Sequence, residues 1–162
     1  MSRNSQTDTV ALALALAESA AADPLLNSLA QTLYGRGLTV YAGDDPRNRP
    51  GENTAPYLQV FALESEEGQE TATADRHRVA VVLGVFDKNS RESASGVHVH
   101  EGQERLTQLR RYLLDGWVNA GREWGTVLAA IHTEYLSLPP LLEAAMDITL
   151  PRPRRLGTGK TL

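Results

Sequence analysis

His98, His100, Glu101 and Glu104 are the residues best spaced for chemistry. In an extended segment, side chains two positions apart point the same way, so the imidazoles of His98-Val99-His100 could share a cation. A small metal-dependent enzyme using His98, His100 and Glu104 is one reading of this cluster. The better account is a loop-to-helix junction, with Glu101 and Glu104 complementing the positive end of a helix. Gly157-Thr158-Gly159-Lys160-Thr161 resembles the end of a phosphate-binding loop, but Arg154 stands where that motif needs its first glycine. No serine sits in a Gly-x-Ser-x-Gly elbow. His77, between Arg76 and Arg78, fits a solvated strand edge. His132 and Glu134 share one strand face as a polar surface, and Asp44 and Asp45 fit a turn. No acid, base and nucleophile converge, so the expectation is a protein that is not an enzyme and needs no metal or cofactor.

Charge offers surfaces in place of a reaction centre. The C-terminal arginines Arg152, Arg154 and Arg155, with Lys160, could touch phosphates, but no aromatic residues are interleaved to stack on bases. Docking on an acidic surface serves them equally well. An acidic run, Glu64, Glu66, Glu67 and Glu70, carries the opposite sign and suits head-to-tail contact between identical subunits. Asp44, Asp45, Arg47 and Arg49 mark a long turn-rich loop over residues 43–53, and Lys88 and Arg91 mark a polar loop over 88–96. Loops of this length are often the working parts of compact domains.

The elements that must position these residues follow from hydrophobic patterning. Residues 79–86, Val-Ala-Val-Val-Leu-Gly-Val-Phe, are apolar on both alternating faces, which predicts a central strand covered on both sides. Residues 9–22 alternate leucine or valine with alanine, and those residue types predict a helix despite the period of two. Asp23-Pro24 predicts an N-cap and first turn for a second helix with a stripe of Leu25, Leu26, Leu29 and Leu33, ended by Gly35 and Gly37. Strands follow at 38–42 and 57–63, then an acidic hairpin tip and the central strand. A helix is expected from 100 or 101 to 118, with Leu106, Leu109, Leu113 and Trp117 on its stripe and Gly121 and Gly125 breaking it. Strands at 127–136 and 146–150 flank the break at Pro139-Pro140, and residues 152–162 are expected to form a flexible basic tail. The fold class is α+β: a mixed, mostly antiparallel sheet of about five strands packed with two or three helices, in one domain over residues 1–151.

Bulk properties agree with a single domain. The chain has 162 residues, a net charge of -4 and no cysteine, which excludes disulfides and thiolate chemistry. The segment 10–17 lacks the basic lead of a signal peptide, and a cytoplasmic product is expected. No apolar run is long enough to predict a membrane span.

The layout as a whole resembles the tail terminator, or tail completion, proteins of long-tailed bacteriophages and related prophage or gene-transfer particles. The resemblance rests on the leucine-rich N-terminal helices leading into 38–42 and the long loop. It continues through Pro56-Tyr57-Leu58-Gln59-Val60 and its hairpin partner at 79–86, the helix at 101–118, the strand at 127–134 and Met146-Asp147-Ile148-Thr149-Leu150. It implies a non-enzymatic virion protein forming a homo-oligomeric ring, usually of six subunits. Such a ring caps the tail tube protein, stops its polymerisation and faces the head-to-tail connector, while DNA passes through without sequence-specific binding. The location implied is the head-proximal end of the tail, after assembly in the host cytoplasm, with no membrane partner. A neck or head-completion connector is the alternative the same layout allows.

Overall fold

A computed structural model describes residues 9–66, 74–124 and 127–153. Its organising element is β3, Ala74–Phe86, which stands in the middle of a five-stranded sheet. β2, Tyr57–Glu66, lies antiparallel on one side of it and β7, Leu141–Pro153, antiparallel on the other. β1, Thr39–Ala42, adds in parallel to β2, and β6, Ala130–Leu138, closes the opposite edge beside β7. Three helices complete the fold: α1, Thr9–Ala22, α2, Pro24–Tyr34, and α3, Glu101–Trp124. β4, Ser90–Glu92, and β5, His98–His100, form a separate small hairpin. The fold is α+β, with a mixed and mostly antiparallel sheet.

Side-chain alternation assigns one face of the sheet to the core. Val79, Val81, Leu83 and Val85 of β3 are fully buried, as are Leu58 and Val60 of β2. Leu142, Ala144, Met146, Ile148 and Leu150 of β7 extend this surface. α1 covers it with Leu12, Leu16 and Ala20, and α3 with Leu106, Leu109, Leu113 and Trp117, at the three-to-four spacing of one helical stripe. The indole Nε1 of Trp117 donates to the carbonyl of Leu16 at 3.0 Å, so the largest core side chain also joins the two helices.

Helix ends follow local chemistry. The carboxylate of Asp23 accepts from the amides of Leu25 and Leu26, and Pro24 occupies the first turn. Gly35 closes α2 in the left-handed conformation, at φ 72°.

Several expectations need correction. Only one face of β3 lies under helices; Ala80, Val82 and Phe86 on the other face are half-exposed. Leu25 lies off the buried stripe of α2 at 72% exposure, while Leu26 and Ala30 are buried. α3 runs through Gly121 to Trp124, because continuing it places Trp124 against the core. The polar loop over 88–96 contains β4. The last two strands run over Ala130–Leu138 and Leu141–Pro153, so Pro139-Pro140 is the turn between them. Arg152 therefore stands in β7, across from Asp75 in register, and does not begin the tail.

Candidate functional site

The open face of the sheet, away from the helices, carries a continuous row of organised side chains. Tyr57 leaves β2, lies across Gly84 of β3, and hydrogen bonds through its hydroxyl to the carboxylate of Glu143 on β7. A Cβ at Gly84 would overlap the Tyr57 ring, so only glycine lets the ring cross at this height. Burial, reinforced by the Glu143 carboxylate, pushes the Tyr57 hydroxyl above its ordinary range and keeps it a neutral donor. Further along the strands, Arg78 bridges Asp147 of β7 and Glu64 of β2, the latter at 2.6 Å. Glu64, Glu66, Arg76, Arg78 and Thr149 line a shallow depression of about 210 Å³ at that end.

Between these two clusters a small apolar patch is flanked by Gln59, beside Val82, and Asp147, beside Ala80. Phe61, Ala80 and Val82 are half-exposed and Ala145 is exposed, on three adjacent strands in register. Phe86 and Leu141 continue the surface at the Tyr57 end.

A second cluster ties the end of β3 to the helices. The side chain of Asp87 is fully buried, and accepts from the Tyr34 hydroxyl at 2.9 Å, from Arg105 at 2.9 Å and from the Asn89 amide at 2.9 Å. Burial alone would raise its carboxyl, but these three donors outweigh burial and hold it below the usual carboxylate range. Burial, with Asp87 beside it, raises the Tyr34 hydroxyl. This network positions elements, and nothing in it is arranged around a reacting group.

The residues singled out from sequence do not converge. Asp44 pairs with Arg49 at 3.6 Å and Asp45 with Arg47 at 3.5 Å, all exposed and within one loop. Glu66 ends β2; Glu67 and Glu70 lie outside the described residues, as do Arg154 and Arg155. Lys88 is exposed just beyond β3, and Arg91 on β4 holds Glu104 at 2.7 Å. The hairpin end of β2 and β3 and the last residues of β7 lie at the same end of the sheet, where Ala74 is opposite Pro153. The rest of the acidic run and of the basic tail lies outside the described residues.

The histidines fall into ordinary positions. His98 and His100 lie on one side of β5, and His100 Nδ1 accepts from the Gly102 amide at 3.2 Å. No group of three or more His, Cys, Asp or Glu side chains able to hold a metal ion occurs among the described residues. His77 is buried on the helix side, 2.9 Å from Thr9 Oγ1, where a solvated edge was expected. Its alternation with the exposed Arg76 and half-exposed Arg78 in β3 was the available signal. The Tyr57–Glu143 pair had no such signal, because it depends on register across three strands.

Among the described residues, no helix is by itself long and apolar enough to cross a membrane. No protein-family model matches the chain, and a search of curated proteins gives no match.

Proposed function

We propose that this protein is a structural assembly subunit, a ring-forming tail terminator of a long-tailed phage or related particle. The ring caps the tail tube, stops its growth and presents the head-proximal joining surface. The observation that carries an assembly role is the open sheet face: residues 79–86 of β3 are apolar on both sides, yet among the described residues no layer covers Phe61, Ala80, Val82 and Ala145. Apolar sheet surface is stabilised by cover, and a partner would supply cover that none of the described residues provides. The layout of leucine-rich helices, long loop, hairpin, helix and closing strands supports the terminator reading in particular.

The test is to add the purified chain to polymerising tail tube protein from the same particle and measure tube lengths by electron microscopy. Tubes that stop growing and carry a ring at one end are expected. Tubes of unchanged length with bare ends would overturn the terminator role.

A further inference from the structure

We propose that β6 is a pairing edge, through which two copies of this chain join strand to strand about a two-fold axis at Thr133. β6 is the last strand of the sheet and bonds only to β7, so its outer edge is unpaired among the described residues. Exposed edges are ordinarily blunted by brevity, a bulge, proline or charged side chains, lysine above all, and Glu134 is the one carboxylate on β6. β1, the opposite edge, is four residues long. β6 has nine residues, unbroken register from Ala130↔Thr149 to Leu138↔Leu141, and no proline, lysine or arginine in Ala-Ile-His-Thr-Glu-Tyr-Leu-Ser-Leu. Its apolar side chains are bare on both faces: Ile131 and Tyr135 on the helix side, Leu136 and Leu138 on the other.

The sequence of β6 selects a second copy as the occupant. In a two-fold antiparallel pair that continues the sheet, residues directly opposite have positions equidistant from the axis and point to the same face. An axis at Thr133 sets Ile131 against Tyr135 of the second copy, a β-branched residue against an aromatic one. It sets His132 against Glu134, two side chains that already approach each other at 3.4 Å within one strand and could bond across the pair instead, and Thr133 against itself. These are the three pairings that stabilise neighbouring strands. Moving the axis to Glu134 opposes two like charges, moving it to Tyr135 sets Glu134 against Leu136, and moving it to His132 opposes two imidazoles. Thr133 is also fixed in advance, because Arg110 donates to its Oγ1 at 2.7 Å. The inference goes beyond the ring reading and does not rest on it, since a two-fold contact is isologous and a polar ring is built head to tail.

The absence of cysteine makes the register directly readable. Full-length Thr133→Cys and Ser137→Cys variants are oxidised side by side at low concentration, with the dimer read on non-reducing gels. Opposed residues place their Cβ atoms about 5 Å apart, close to disulfide geometry. Ser137 would lie roughly 26 Å from its own copy, eight residues along the strand. Thr133→Cys should form dimer at least ~10-fold faster than Ser137→Cys. An equimolar mixture of Ile131→Cys and Tyr135→Cys, which keeps Thr133 intact, should give far more dimer than either alone. Equal rates for Thr133→Cys and Ser137→Cys, or no gain on mixing, would overturn the pairing. A Thr133 cross-link without any ring leaves this contact standing and removes the ring; a ring without the cross-link does the reverse.

Discussion

Asp87 is the residue on which three elements depend. It ends the central strand, and its buried carboxylate draws on Tyr34 from α2, Arg105 from α3 and the amide of Asn89. Removing it leaves Arg105 and the Tyr34 hydroxyl without their acceptor, so Asp87→Ala should cost about 3 kcal/mol in urea denaturation. Its carboxyl sits below the ordinary range when folded. The stability it contributes is therefore fully present above the ordinary carboxylate pKa and lost as pH falls through the lower folded value. Wild type should lose more stability than Asp87→Ala between pH 5 and pH 2; parallel pH curves would contradict the assignment. None of this was legible in sequence, since Tyr34 is 53 residues away and Arg105 is 18. The Asp23 cap was legible, because its partners are the amides of Leu25 and Leu26, two and three positions on.

At the scale of elements, local periodicity was readable and pairing was not. α1 was legible through its alanine and leucine content, and the stripe of α3 through its spacing. The end of α3 was misplaced because a glycine costs only about 1 kcal/mol inside a helix, and burial of Trp124 against the core outweighs it. β7 is longer than its pattern suggested: Leu141 to Ala145 lacks β-branched residues, and thirteen paired positions with β3 make it a strand. β4 and β5 are three residues each and leave no periodic trace. Gly84 is the crossing point of the Tyr57 ring, a role set by register between two strands. Gly84→Ala should destabilise the protein by roughly 2 kcal/mol, as overpacking does. An unchanged unfolding midpoint would mean that the ring does not need that space.

For the whole molecule, the sequence led to a correct sheet and an incorrect second layer. The apolar alternation of β3 predicted cover on both faces, and the chain provides helices on one. On the proposed reading, the uncovered face serves assembly. A charge in the middle of the open face should block that assembly while sparing the core, so Val82→Lys should keep the helical and sheet signature in circular dichroism. The most direct test is the native mass of full-length wild type and Val82→Lys, by light scattering coupled to size exclusion over a range of concentrations and salt. The account predicts that wild type reaches six copies or a multiple of six as concentration rises, and that Val82→Lys falls to smaller species. A wild-type mass that stops at one or two copies at every concentration, or a Val82→Lys profile identical to wild type, would contradict it.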